Sequence, residues 1–218
     1  MFTFELEHTD GLARAGSINT DHGEIRTPVF MPVATQGSVK ALDPTDLQTL
    51  GAQIVLGNAY HLYLRPGSQE IKEFGGLHSF MNWPKPILTD SGGFQGFSLQ
   101  HLRKINPNGI TFKSHIDGSS HELTPESVIQ IQKEIASDII MPLDVCLSPE
   151  ASKTDFVEAM HLTSNWLSRS INYQNDSSSQ ALFGIVQGGL HADLRKESAH
   201  ELSDYALPGY SNGGLSVG

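Results

Sequence analysis

Short apolar runs recur along the chain, separated by stretches whose apolar residues return every third or fourth position. The runs predict strands at 29–33, 53–56, 86–89, 138–143 and 182–186, with a sixth opening near Tyr210. Helices are expected between them. Asp43-Pro44 offers an N-cap followed by proline in the first turn, and Thr124-Pro125-Glu126 repeats the device ahead of 128–135. The clearest helix is predicted over 153–173, where Phe156, Ala159, Met160, Thr163, Trp166, Leu167 and Ile171 share one face and Ser152 and Asp155 stand at capping-box spacing. Residues 110–116 and 122–123, joined through Asp117-Gly118, predict an inserted hairpin. The start of the chain, Phe2-Thr3-Phe4-Glu5-Leu6-Glu7, alternates in the manner of a β-segment.

Strands alternating with helices imply an α/β protein with a parallel sheet. Polar and glycine residues gather where the predicted strands end: Gly57-Asn58, Asp90-Ser91-Gly92-Gly93, Asp144, Gln187-Gly188-Gly189 and Gly213-Gly214. In a (β/α)8 barrel such ends share one rim, where active sites lie. A doubly wound open sheet gathers them too, so the pattern places a site without choosing a fold.

Composition narrows the choices. The chain has 218 residues, 38% of them hydrophobic and 17% charged, enough for one globular domain with a sizeable core. No run approaches the roughly 20 apolar residues of a membrane helix, and the acidic, alternating start is unlike a signal peptide, so a cytoplasmic protein is expected. The one cysteine, Cys146, excludes an internal disulfide. A net charge of -10 argues against non-specific nucleic-acid binding. Any RNA contacts must come from a local patch or from residues outside the chain.

The chemistry concentrates at the strand ends. Asp90 and Asp144 are carboxylates closing two different predicted strands, a pattern that favours a site over loop capping. Paired glycines in Asp90-Ser91-Gly92-Gly93-Phe94-Gln95 let backbone approach a ligand closely, and Phe94 offers a flat face. Gln187 and the glycines at 188–189 and 213–214 supply neutral donors, which suit an uncharged polar ligand better than a phosphate. No P-loop or G-x-G-x-x-G motif occurs, and no metal site is expected, because the histidines lack ligand spacing. Cys146 reads as a pocket wall rather than a nucleophile.

Several segments resemble one family. Phe30-Met-Pro-Val33, Leu56-Gly-Asn-Ala-Tyr-His-Leu62, Leu64-Arg-Pro-Gly67, Leu88-Thr-Asp-Ser-Gly-Gly-Phe-Gln95, Phe183-Gly-Ile-Val-Gln-Gly-Gly189 and Gly213-Gly-Leu-Ser-Val-Gly218 are similar to queuine tRNA-ribosyltransferases, also called tRNA-guanine transglycosylases. The resemblance covers the whole chain in order. It implies a (β/α)8 TIM barrel, here truncated after about the sixth strand, with an N-terminal β-segment and an inserted hairpin, forming a single partial catalytic domain over 1–218. It implies exchange of guanine at the tRNA anticodon wobble position for a 7-deazaguanine such as preQ1. By the same resemblance Asp90 is the proton-handling catalytic carboxylate. Asp144 accepts from the pairing edge of guanine, Gln187 and the Gly214 amide meet its carbonyl side, and Phe94 stacks on its face. Ser91, Gly92 and Gly93 line the base, while Cys146, Leu215 and Val217 wall the pocket. Val217 and Cys146 together are of the preQ1-using bacterial type.

The family's nucleophilic Asp, its Cys-x-Cys-x-x-Cys…His zinc site and most of its basic tRNA contacts lie in a later portion. This chain is therefore expected to hold no cofactor itself, to be inactive alone, and to form a homodimer when full length. Val145-Cys146-Leu147-Ser148-Pro149 departs from the common Glu-Cys-Thr-Pro, which bears on pocket hydrogen bonding but not on Asp144. Two alternatives remain: a non-catalytic superfamily subunit that binds a partner or RNA, and an unrelated TIM-barrel hydrolase.

Overall fold

The alternating N-terminus folds as an antiparallel meander of β1 (Thr3–Asp10), β2 (Ala13–Thr20) and β3 (Gly23–Thr27). The structure, a computed structural model, describes residues 2–93, 103–174 and 179–215. It is a mixed α/β protein whose chain divides into two compact units: 1–90 with 131–140 and 178–181, and 91–130 with 141–177 and 182–218.

In the first unit, β4 (Val55–Asn58) and β5 (Ile87–Asp90) pair in parallel, and β5 pairs in parallel with the short β9 (Ile139–Ile140). Helices α1 (Pro44–Thr49), α2 (Ala59–Leu64), α3 (Ser68–Glu73) and α4 (Leu77–Met81) fill the connections. The expected cap of α1 forms. Asp46 donates its amide to Asp43 Oδ1 at 2.8 Å, and Asp43 returns its own to Asp46 Oδ2 at 3.0 Å.

Two strand expectations are corrected here. Residues 29–33 form no regular strand; Val33 alone bridges Leu56, with Leu56 N–H donating to Pro32 O at 2.9 Å. Pro28 and Pro32 lack the amide hydrogens a ladder needs. The run expected over 138–143 shortens to β9; the Asp138 backbone still bonds Ile87 and Ala181 on either side, and Pro142 has no N–H to donate further on. Val29, Phe30, Val33, Leu42, Leu47 and Leu50 border an apolar cleft of about 580 Å³, and Phe30 is 80% exposed.

In the second unit, the predicted hairpin gains a strand and becomes the antiparallel meander β6 (Arg103–Asn106), β7 (Gly109–Lys113) and β8 (Ser120–Leu123). Asn106 Oδ1 accepts the amides of Asn108 and Gly109 and closes the first turn. Helix α5 (Pro125–Ile135) starts at Thr124, whose hydroxyl accepts the Ser127 amide at 3.1 Å. Helix α6 (Lys153–Gln174) matches its prediction to within a residue, with the Ser152–Asp155 capping box present. Six members of the predicted stripe are buried; Ile171 is only partly so, and Ser164 and Ser170 are buried in addition. Trp166 donates its indole N–H to Pro107 O at 2.9 Å, so its apolar body fills the core while its polar atom is satisfied. Phe156 and Met160 pack against Leu194 of α7 (Ala192–Ser203). Strands β10 (Ala181–Val186) and β11 (Gly209–Asn212) pair in parallel.

Among the described residues no helix is long and apolar enough to cross a membrane.

Candidate functional site

Asp90 is the last residue of β5. Its register partner at the end of β4, Asn58, is buried and does two jobs. Asn58 Oδ1 accepts the His61 amide and caps α2, which fixes the carboxamide so that Nδ2 donates to Asp90 Oδ2 at 2.7 Å. Asp90 is thus a half-buried carboxylate oriented by the Asn58 carboxamide.

Ser91 begins the second unit's cluster around Asp144. Ser91 donates its hydroxyl to Asp144 Oδ1 at 3.4 Å and accepts the Gly93 amide at 3.3 Å. Gln187, the residue after β10, donates Nε2 to Asp144 Oδ2 at 2.8 Å. All four residues are buried. A Cβ at Gly93 would overlap Asp144 Oδ1, so glycine is required for the carboxylate to occupy this place. Gln187 is itself held: its amide donates to Ser198 Oγ of α7 at 3.0 Å. The Val145 amide donates to Thr163 Oγ1 of α6 at 3.1 Å, anchoring the segment that carries Asp144 and the buried Cys146.

The β11 end packs against the same carboxamide. Gly213 donates its amide to Val186 O at 2.9 Å, and a Cβ at Gly213 would lie 2.8 Å from Gln187 Nε2. At Gly214, with φ of 70°, a Cβ would stand 3.2 Å from Gln187 Oε1. The result is a buried carboxylate met by hydroxyl and amide donors, with glycine backbone beside it. Such a group forms strong hydrogen bonds to a neutral ligand that presents paired N–H donors.

A second buried aspartate lies in the first unit and was missed in the sequence. Asp138 Oδ1 is 2.7 Å from His22 Nδ1 in the β2–β3 turn, and Oδ2 is 3.1 Å from His78 Nε2 on α4. Oδ2 also accepts the Ile87 amide at 2.8 Å. Burial acts to raise the pKa of Asp138, but the hydrogen bonds from His78, His22 and Ile87 outweigh it and bring the carboxyl from 3.8 to about 2. The imidazoles are stacked with centroids 3.5 Å apart and planes 13° from parallel. Two parallel rings, each aimed at its own carboxylate oxygen, form a hydrogen-bonded tie, and the ligand atoms of His22, His78 and Asp138 lie within 4.8 Å of one another, close enough to hold a metal ion that the histidine spacing did not announce. The histidines lie 56 positions apart, and the aspartate 60 beyond the second, so no spacing rule could have found them.

Of the expected site residues, Ser91, Gly93, Asp144, Gln187 and Gly214 come together, and Gly92 adopts a φ of 82° in the same loop. Asp90 directly precedes Ser91 in the chain. Leu215 is 52% exposed. Phe94 and Val217, and most of the loop at 175–179, lie outside the described residues. The zinc site that the resemblance places elsewhere in the family does not fit this chain, whose one buried thiol cannot supply three sulfur ligands.

The mixed α/β scaffold buries a carboxylate and a carboxamide past its strand ends, beside paired glycines. Residues 9–218 match the family described as queuine tRNA-ribosyltransferase, and the chain belongs to that family. It is similar to the queuine tRNA-ribosyltransferase of Herpetosiphon aurantiacus, 56% identical over 217 residues that make up 100% of this chain and 55% of that protein. The enzyme of Dictyoglomus turgidum is 56% identical over 94% of this chain and 54% of its own length, and that of Ruegeria sp. 53% identical over 100% and 58%. The chain thus spans about half the length of the curated relatives it matches.

Proposed function

We propose that this chain is the base-recognising portion of a tRNA-guanine transglycosylase, which replaces guanine at the anticodon wobble position with a 7-deazaguanine, preQ1 by the pocket type. The observation that carries the reading is the Asp144 cluster. The pairing edge of guanine offers an N1–H and an N2 amine, and one buried carboxylate accepts both. Ser91 and Gln187 meet those oxygens, so a base that takes their place exchanges neutral donors for neutral donors and the carboxylate is never stranded. Freed from Asp144, the Gln187 carboxamide turns its N–H to the carbonyl side of the base, beside the Gly214 amide. Phe94 stacks on the base, a contact worth about 1–3 kcal/mol. Asp90, oriented by Asn58, takes the proton-handling role as bases leave and arrive.

In this reading the parallel strands are the first part of a (β/α)8 barrel with 1–218 as a single partial catalytic domain. The attacking carboxylate, the zinc site and the dimer contacts belong to the rest of a longer, cytoplasmic enzyme. The acidic balance of this portion follows, since tRNA phosphates are gripped elsewhere. A base entering such a site must leave its stack, which an unpaired anticodon loop permits.

Titration calorimetry of the chain with guanine, preQ1 and adenine tests the reading. Guanine and preQ1 bind and adenine does not; equal affinity for all three would sink the assignment of Asp144. Labelled guanine is not exchanged into tRNA by the chain alone, and robust exchange would place the nucleophile within 1–218.

A further inference from the structure

Arg195 has no part in the site described so far, yet its guanidinium joins the two glycine loops that border it. Nη1 donates to Gly213 O at 3.1 Å and to Gly189 O at 3.4 Å, and Nη2 donates to Asn212 Oδ1 at 3.0 Å. The residue sits in the first turn of α7, where a cation opposes the helix dipole. Its charge therefore does not serve the helix; the three oxygens it meets account for it. The loops leave little room for adjustment. At Gly188, with φ of 116°, a Cβ would lie 2.8 Å from the Arg195 amide. At Gly189 it would overlap the Phe156 ring, and at Gly213 it would fall 2.6 Å from Ile185 Cγ2.

We propose that Arg195 is a positioning residue for base selectivity, fixing the loop after β11 against the loop after β10 so that Gly214 and the Gln187 carboxamide face the carbonyl side of a bound purine. This deepens the reading above and rests on it. The path is short: Arg195 holds Gly213, the Gly213–Gly214 backbone packs on the Gln187 carboxamide, and Gln187 bonds Asp144. Loss of the guanidinium lets the β11 loop retreat from Gln187, while Ser91, itself met by the Gly93 amide, still holds Asp144. The two edges of the base are then affected differently.

Purine analogues separate these edges. Hypoxanthine lacks the 2-amine that Asp144 reads, and 6-thioguanine keeps the N1–H and the 2-amine but replaces the 6-carbonyl oxygen that Gln187 and Gly214 read by a weakly accepting sulfur. In Arg195→Ala, preference for guanine over 6-thioguanine falls about tenfold, the scale of one misplaced hydrogen bond, and preference over hypoxanthine is kept. Arg195→Lys recovers part of the loss, since one ammonium can reach two carbonyls but not Asn212 as well. A structural role alone would weaken all three purines together. If Arg195→Ala does not fold, Arg195→Lys and the exposed Asn212→Ala decide, each shifting the same ratio by a smaller amount. Wild-type ratios in the folded variants overturn the proposal. Failure of the wild-type chain to bind guanine removes the base-site reading and this inference with it, an outcome distinct from binding that is indifferent to Arg195.

Discussion

Asp138 and Asp144 stand on either side of β9, both buried, at 8% and 9% exposure, and they are held in opposite ways. Asp138 meets two imidazoles and a backbone amide, contacts that close the β2–β3 turn and α4 onto the start of a strand. Asp144 meets a serine hydroxyl and a carboxamide that other donors can replace, and glycine backbone crowds it where a side chain would otherwise sit. In (β/α)8 barrels the N-terminal strand face serves stability and the C-terminal face carries the site, and the proposed function puts Asp144 on the latter. The difference between the aspartates lies in the exchangeability of their partners rather than in burial.

The largest expected effect separates the two directly. Asp144→Asn puts an amide that offers its own donors where guanine needs an acceptor, and calorimetry should show guanine binding weakened about 10²- to 10⁴-fold. Its thermal midpoint should stay near wild type. The reverse holds for Asp138→Ala. Removing an acceptor shared by three donors should destabilise by roughly 3 kcal/mol. In a chain of this size that is a fall of about 6–12 °C in Tm, with guanine affinity in the folded population retained. If Asp138→Ala lost base binding and kept its Tm, the comparison would be reversed.

Gly93→Ala probes the close approach to Asp144. The added methyl overlaps Oδ1 and should displace the carboxylate at a strain cost of about 1–3 kcal/mol, read as roughly tenfold weaker guanine binding. Acid titration probes Asp138. Its carboxyl falls from 3.8 to about 2 on folding, so its contribution is complete above about pH 4 and is lost as pH falls toward 2. Melts across that window should show a steeper loss for wild type than for Asp138→Asn; parallel curves would assign acid lability to other groups. The smallest effect is expected from His22→Ala. That side chain is 39% exposed, and its loss should cost no more than about 1 kcal/mol, visible only as a Tm shift of a few degrees.

What the sequence determined by itself was local or motif-borne. The α1 cap needs only Asp43, Pro44 and Asp46; α6 needs a 3.6-residue rhythm; and the Asp90-Ser-Gly-Gly block, with the other matching segments, points to the family. Tertiary structure decided the rest. The strand expected over 138–143 shortened to Ile139–Ile140, with the Asp138 side chain taking the Ile87 amide, and β6 joined the hairpin although its own residues lack alternation. The His22–Asp138 contact spans 116 residues, Ser91–Asp144 spans 53 and Gln187–Asp144 spans 43. Periodicity reports which face of an element is buried, because neighbours on a helix or strand share a backbone geometry. Which polar atom meets which across 43 to 116 residues depends on how the elements pack, and only the folded chain specifies it.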